Sequence, residues 1–313
     1  MSLSPRPGIM EMAPYVPGAS KVDGVKRIIK LSSNEGALGP SQAAIVAYES
    51  LGPDLHRYPD GGSADLRTAI GARNGLDPDR IVCGAGSDEL LALLARAYAG
   101  PGDEVLFGEH AFVMYPLFAL SVGATPVKAP EVDFTVTPDA ILSKVTERTR
   151  IVYVANPNNP TGTMITSDEM VRLRAGLRDD ILLVIDAAYA EYVTRNDYSP
   201  GVELVDEGDN VVMTRTFSKI YAMGGARLGW AYCQNSVVEV LNRIRPPFNV
   251  TSGAQAAGIA AINDVEFLTR SRDHNTTWLP WLSDQLQGMG LDVVPSAGNF
   301  LLVRFPESGA QTA

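Results

Sequence analysis

The feature that most constrains the fold is a regular alternation of short apolar segments with helix-forming segments, which begins near Arg80. Seven apolar segments have the length and composition of strands: 81–83, 104–107, 125–128, 150–154, 181–185, 210–213 and 228–233. Segments of helical character lie between them, at 88–99, 114–122, 138–145 and 167–177. Strands that alternate with helices form a mainly parallel sheet with both faces covered. We therefore predict a large α/β domain with a seven-stranded sheet and helices on both faces.

The chain on either side of this block has a different character. A Pro- and Gly-rich stretch comes first, and a short helix is predicted near 41–50. After Asp264 a long charged and aromatic stretch predicts a helix that Pro280 should kink or interrupt, followed by two strands at 291–294 and 299–305. The predicted parts are an N-terminal arm, a large domain and a smaller α+β domain that is apparently incomplete: residues 1–40, 41–263 and 264–313.

Composition excludes several classes of function. The chain has 313 residues, a formal net charge of −10 and 45% hydrophobic residues. A surface of this charge repels nucleic acid, and no apolar run is long enough to span a bilayer, so neither partner is expected. Cys83 and Cys233 lack a metal-binding or redox spacing, which fits a reducing cytoplasm. The histidines are scattered, and no metal site is expected.

The segment 214–230 has the character of a reactive site. It places a lone Lys219 after Ser218, in a glycine-rich loop that leads through Arg227 into an apolar strand. Desolvation lowers the pKa of a lysine, and its amine can then attack a carbonyl. Hydroxyls at Thr216 and Ser218 and the Arg227 guanidinium could bind a phosphate ester. Pyridoxal phosphate is an aldehyde that carries a phosphate, although a surface lysine beside a structural arginine is the simpler alternative.

A second glycine-rich segment follows the first predicted strand and opens a helix. Gly86 would let the backbone approach a phosphate, with Ser87 and Asp88 in the first helical turn, where the amides and the helix dipole favour an anion. A dinucleotide fingerprint is one alternative, but Glu89 replaces its third glycine. A plain helix capped by an aspartate is another.

Three further segments place polar or aromatic side chains at strand ends. Asp186 ends a buried apolar run, where a carboxylate is costly unless it is paired, and a protonated pyridine nitrogen would be a suitable partner. Tyr189 and Asn159, the latter held by Pro160, could contact the hydroxyl of the same ring, and Phe112 could stack on its face. The simpler alternatives are an aspartate that caps a turn, a rigid Asn-Pro turn and a core phenylalanine.

In this order, and with Tyr58 before a Pro-Asp-Gly turn, these motifs resemble the fold-type I pyridoxal phosphate aminotransferases. The nearer resemblance is to histidinol-phosphate aminotransferases, because Pro-Tyr-Val-Pro-Gly at 14–18 and Lys-Leu-Ser-Ser-Asn-Glu at 30–35 look like the arm of that subgroup. Ala187 departs from the glutamate that usually follows the catalytic aspartate. The arginine that binds substrate in this family is expected beyond Ala313.

The resemblance implies pyridoxal 5'-phosphate as cofactor, with Lys219, Asp186 and Tyr189 as the catalytic set. Lys219 would bond to the aldehyde carbon, Asp186 would pair with the pyridine nitrogen, and Tyr189 would contact the ring oxygen. The other cofactor contacts would be Tyr58, Gly86, Ser87, Asp88, Phe112, Asn159, Thr216, Ser218 and Arg227. Tyr58 would come from the second subunit of a homodimer with shared sites, and Tyr15 and Asn34 would lie near the substrate.

The activity implied by the resemblance is a ping-pong transamination of L-histidinol phosphate with 2-oxoglutarate, in histidine biosynthesis in the cytoplasm. Lys219 would act as the general base. Two alternatives use the same cofactor: an aromatic amino acid aminotransferase, and a decarboxylase of a phosphorylated amino acid. A nucleotide-binding dehydrogenase and a non-catalytic binding protein are alternatives from other classes.

Overall fold

A seven-stranded sheet dominates the computed structural model, which describes residues 5–6, 8–14 and 30–305. The strands, in chain order, are β1 (Ile81–Gly84), β2 (Glu104–Gly108), β3 (Thr125–Ala129), β4 (Glu131–Val132), β5 (Thr135–Val136), β6 (Thr149–Ala155), β7 (Leu182–Asp186), β8 (Val211–Thr216), β9 (Gly229–Tyr232), β10 (Asp292–Val294) and β11 (Leu302–Arg304). The large sheet has the order β1-β9-β8-β7-β6-β2-β3. This confirms the predicted α/β class.

Ten α-helices are formed by the described residues: α1 (Gln42–Glu49), α2 (Ala64–Asn74), α3 (Ser87–Tyr98), α4 (Met114–Val122), α5 (Pro138–Leu142), α6 (Ser167–Gly176), α7 (Val202–Glu207), α8 (Asn235–Ile244), α9 (Ser252–Asn263) and α10 (Val265–Gly288). Some have evident start signals. At α6, for example, the Thr166 side chain and the Glu169 side chain form a reciprocal capping box.

Both faces of the sheet are buried, which explains the nearly continuous apolar runs in the sequence. On β7, Leu183 and Ile185 belong to one core and Leu182 and Val184 to the other. Burying an aliphatic side chain of this size contributes roughly 1.5–3 kcal/mol. The helices that cover the two faces therefore hold the sheet rigidly, and its edges provide fixed points for functional side chains.

The direction of the strands decides where those side chains lie. Strands β2, β3, β6, β7 and β8 are parallel, whereas β9 is antiparallel to both of its neighbours, β1 and β8. Strand β1 consequently runs in the same direction as β8. The carboxyl ends of β1, β2, β6, β7 and β8 thus meet at one edge of the sheet, which is also where β9 begins.

Several sequence predictions need correction. Strand β8 continues to Thr216, three residues beyond its predicted end at Met213, because Arg215 and Thr216 are buried polar residues within the strand. Helix α10 runs through Pro280, so the predicted interruption is absent, while the predicted kink stays a prediction. A proline removes one helical hydrogen bond, to the carbonyl four residues earlier, and Thr276 is exposed, so that water can satisfy its carbonyl.

Helix α10 leads to a separate two-stranded antiparallel sheet of β10 and β11. The division of the chain into an arm, a large domain and a small domain stays a prediction.

Candidate active site

A cleft lies at the edge of the sheet where the parallel strands end. It is lined by Ser87, Asp88, Phe112, Ala155, Pro157, Asn159, Asp186, Ala188, Tyr189, Thr216, Ser218, Lys219 and Arg227. All but two of the predicted cofactor contacts are in this set. The two exceptions are Tyr58 and Gly86. Residues separated by up to 140 positions in the chain are therefore brought to one place by the topology of the sheet.

Lys219 lies in the loop after β8 and is half-buried in the cleft wall. Burial lowers the pKa of its ammonium group below the ordinary value, although the charges of Asp88 and Asp186 act in the opposite direction. Its Nζ donates a hydrogen bond to the Ser33 carbonyl oxygen at 3.0 Å and lies 5.4 Å from the centre of the Tyr189 ring. A lysine in this environment has a larger neutral fraction at neutral pH and is a better nucleophile and base.

Asp186, the last residue of β7, is 5% exposed and also lines the cleft. Its Oδ2 accepts a hydrogen bond from the Tyr115 hydroxyl at 2.9 Å, and its Oδ1 has a longer contact of 3.4 Å with the Thr214 hydroxyl. Burial raises the pKa of Asp186 to about 6, although the hydrogen bonds from the two hydroxyls act to lower it. Above that pH the cleft contains a buried carboxylate.

The sequence analysis did not identify Tyr115 and Thr214, which hold Asp186. Tyr115 lies in an apolar helix, and Thr214, although it opens the segment 214–230, lies in a buried strand; neither was given a role. A tyrosine is unusual at a fully buried position unless its hydroxyl has a partner, so Tyr115 within an apolar helix is the one signal that the sequence offers.

Arg227, which also lines the cleft, is surrounded by hydrogen-bonding groups. Its Nη1 lies 3.4 Å from the Ser218 hydroxyl and 3.0 Å from the Gly224 carbonyl oxygen, and its Nη2 lies 3.4 Å from Asp88 Oδ2. A Cβ at Gly86 would come within 2.4 Å of the Arg227 guanidinium, and the backbone of Gly86 has φ 86°, so no side chain is tolerated there. Gly86 therefore borders the site through its backbone, next to the first amides of α3.

The remaining predicted residues are placed differently. Asn34, which is in the left-handed region with φ 53°, donates from Nδ2 to the Tyr189 hydroxyl oxygen at 3.0 Å. Tyr58 is 82% exposed and stacks on Phe248 with ring centres 4.7 Å apart, outside the cleft of its own chain. Tyr15 lies outside the described residues.

A buried ion pair behind the cleft was not anticipated either. Arg215 on β8 contacts Glu191 with 2.7 Å between Nη2 and Oε1, and the two side chains are 11% and 7% exposed. Glu191 lies two residues after Tyr189, and Arg215 lies four residues before Lys219. The pair thus connects the two segments that carry the tyrosine and the lysine.

Two searches of the described residues gave no further site. No group of three or more His, Cys, Asp or Glu residues within 5–6, 8–14 and 30–305 could hold a metal ion. In the same part of the chain, no helix combines the length and the apolar character that crossing a membrane requires.

Known proteins resemble this chain in both sequence and overall structure. The relatives include histidinol-phosphate aminotransferases of Paramagnetospirillum magneticum, 63% identical over 310 residues (99% of this chain, 85% of the relative), and of Rhodospirillum centenum, 57% identical over 305 residues (97% and 84%). A solved structure, the Sinorhizobium meliloti histidinol-phosphate aminotransferase in complex with pyridoxal-5'-phosphate, superposes with a TM-score of 0.83 at 29% identity, over 87% of this chain and 74% of that one. The family described as aminotransferase class I and II matches residues 26–312. The chain therefore belongs to the aminotransferase class I and II family.

Proposed function

We propose that this aminotransferase uses pyridoxal 5'-phosphate to transfer the amino group of L-histidinol phosphate to 2-oxoglutarate, a step of histidine biosynthesis. The observation that carries the proposal is the position of Lys219 and Asp186 in one cleft, together with Arg227 and the first residues of α3. The high identity to histidinol-phosphate aminotransferases supports the choice of substrate.

The residues of the cleft fit each functional group of the cofactor. Lys219 would hold the aldehyde carbon, and Asp186 would pair with the ring nitrogen. Asn159 and Tyr189 would contact the ring oxygen, and Phe112 would pack on the ring. The phosphate would be bound by Arg227 with a set of small residues and backbone amides: Gly86, Ser87, Asp88, Thr216 and Ser218. Support for the phosphate comes from Gly86, because any side chain there would collide with the Arg227 guanidinium and fill the space that an anion needs.

When bound, the cofactor supplies a ring that withdraws electrons and stabilises negative charge on the substrate carbon. The amino group of the substrate would take the place of Lys219 at the aldehyde carbon, and the freed lysine amine would then remove the proton from the carbon that carries the amino group and later return it; its lowered pKa favours the neutral amine that this requires. Asp186 is ionised above about pH 6 and would hold a positive ring nitrogen by charge pairing. Tyr189 orients the ring oxygen and is itself held by Asn34.

We further propose a cytoplasmic homodimer with shared sites. Tyr58 is exposed and held by Phe248 outside its own cleft, which favours a role in the cleft of a second copy. Both cysteines, Cys83 and Cys233, are free and buried, which fits a reducing compartment. Tyr15 and Asn34 would lie near the substrate, and the small domain would begin at 264.

Replacing Lys219 by alanine tests the chemistry. We expect Lys219→Ala to retain the cofactor non-covalently and to lose turnover by at least about 10²–10⁴-fold, the usual contribution of a positioned proton-transfer group. Lys144→Ala, which changes an exposed lysine, is the matched control. Turnover of Lys219→Ala at the level of the control would refute the proposed role.

The amino donor is tested separately by single-turnover mixing. The wild-type enzyme with bound cofactor is mixed with histidinol phosphate, phenylalanine or tyrosine, and the absorbance of the cofactor is followed. Histidinol phosphate should react fastest. A faster reaction with either aromatic amino acid would replace the proposed substrate by an aromatic one.

A further inference from the structure

We propose that Tyr115, which the proposed cofactor contacts do not include, is a positioning residue that keeps the Asp186 carboxylate ionised and its Oδ1 directed to the cleft. This inference rests on the proposed function, in which Asp186 faces the ring nitrogen of the cofactor.

The first step is the unequal environment of the two carboxylate oxygens. Oδ2 accepts a hydrogen bond of 2.9 Å from the Tyr115 hydroxyl, whereas the contact of Oδ1 with the Thr214 hydroxyl is 3.4 Å long. The shorter bond anchors Oδ2 within the protein. The carboxylate therefore cannot rotate without breaking its shortest side-chain hydrogen bond, and Oδ1 is the oxygen with the weaker side-chain contact.

The second step is that Tyr115 itself is immobile. Its side chain is fully buried and stacks on Tyr153 with ring centres 4.7 Å apart and planes 10° apart. Phe112, which lines the cleft, contacts the Tyr115 ring edge-on, with ring centres 5.6 Å apart. The Tyr153 hydroxyl donates to the Leu91 carbonyl oxygen at 2.8 Å, which ties the stack to α3. The position of the Tyr115 hydroxyl is thus set by packing before any cofactor binds.

The third step is electrostatic. Burial raises the pKa of Asp186, the negative charge of Asp88 acts in the same direction, and the hydrogen bond from Tyr115 is the largest opposing effect. Burial and the Asp186 charge raise the pKa of Tyr115 well above its ordinary value, so that its hydroxyl remains a donor at every pH of interest. The other titratable groups that act on this site are Lys219 after β8, Tyr153 on β6 and Tyr189 after β7. Loss of the Tyr115 hydroxyl should therefore favour the protonated, neutral form of Asp186.

The test uses Tyr115→Phe in the full-length chain, in the wild-type background and in an Asp186→Asn background. Urea unfolding without added cofactor is measured at about pH 5, where Asp186 is mostly protonated, and at about pH 8, where it is ionised. A hydrogen bond to a charged acceptor is worth about 1 kcal/mol more than one to a neutral acceptor, so Tyr115→Phe should raise the unfolding equilibrium constant about fivefold more at the higher pH. In the Asp186→Asn background the effect should not depend on pH.

Tyr153→Phe is the matched control, because it removes a buried hydroxyl of the same stack that bonds to Leu91 and not to Asp186. A second measurement is the dissociation constant of pyridoxal 5'-phosphate at about pH 8, which Tyr115→Phe should raise about tenfold and Tyr153→Phe should leave nearly unchanged. If Tyr115→Phe does not fold, 3-fluorotyrosine at position 115 replaces it. This stronger donor should change the pH dependence in the opposite direction.

A penalty for Tyr115→Phe that is independent of pH, or a pH-dependent penalty of equal size for Tyr153→Phe, would overturn the proposal. With 3-fluorotyrosine, an unchanged pH dependence would do the same. The unfolding measurement involves neither cofactor nor turnover. Its failure is therefore distinguishable from failure of the proposed function, which the Lys219→Ala turnover decides.

Discussion

Neutralising Glu191 should destabilise this protein more than removing any exposed ion pair. Glu191→Gln keeps the size of the side chain but leaves the Arg215 guanidinium, 11% exposed, without its counter-charge. Burial acts to lower the pKa of Arg215, yet the Glu191 charge helps to keep the net shift upward, so the arginine will not escape the cost by losing its proton. Breaking a buried pair from one side costs about 3–5 kcal/mol, because the remaining charge is uncompensated.

Urea unfolding of the cofactor-free chain measures this loss. If the free energy of unfolding falls by about 2–3 kcal/mol per molar urea, the urea concentration at the midpoint of unfolding should fall by about 1–2.5 M. The matched control is Glu239→Gln, which removes the partner of Arg243 in an exposed pair on α8 and should have little effect. A double variant, Glu191→Leu with Arg215→Met, should recover most of the loss, since no charge then remains buried.

The reasoning is refuted if Glu191→Gln is no more destabilising than Glu239→Gln. It is also refuted if the double variant is less stable than Glu191→Gln alone. The first result would mean that water or another group compensates Arg215. The second would mean that shape and not charge determines the stability of this region.

Two further predictions concern the cleft. In Gly229→Ala the new Cβ would lie 2.3 Å from the Ser87 amide nitrogen, so the start of α3 must move by about 1 Å. Cofactor affinity measured by fluorescence titration should then fall by about 10–100-fold. The control is Gly225→Ala, whose Cβ projects into open space, and equal affinities of the two variants would contradict the argument. Mixing Lys219→Ala subunits with Tyr58→Ala subunits under conditions of subunit exchange should restore activity, because one site of each mixed dimer is then intact. No recovery would contradict a shared site.

The fold was predictable wherever burial decides the local sequence. Strands β2, β6 and β7 are buried on both faces, so their apolar runs are conspicuous and their predicted bounds are nearly right. Helix α9 was missed because its buried residues are mainly Ala and Gly, which pack closely against α1 and α2 but provide no strong apolar periodicity. The predicted end of strand β8 came too early because the strand contains the charged Arg215, which is buried there as the partner of Glu191, and the local sequence does not reveal that pairing.

The residues of the candidate site also fall into those that the sequence could assign and those that it could not. Side chains that follow directly from strand ends, such as Lys219 and Asp186, could be assigned because parallel strands bring their carboxyl ends together. Tyr115 and Glu191 act through partners 71 and 24 positions away in the chain. Spacing within a motif contains no information about such contacts. The supporting residues of the site therefore required the three-dimensional structure, whereas most of the cleft lining did not.

The antiparallel return of β9 has a consequence for the evolution and redesign of this cleft. Thr216 at the end of β8 pairs with Gly229 at the start of β9, so the loop that carries both Lys219 and Arg227 leaves and re-enters the sheet at adjacent points. A hydrogen bond of 3.0 Å from the Phe217 amide to the Leu228 carbonyl closes its base. The length of this loop therefore contributes to the distance between the reactive amine and the guanidinium. An insertion or deletion there would select for ligands of a different span while leaving every strand pairing of the sheet intact.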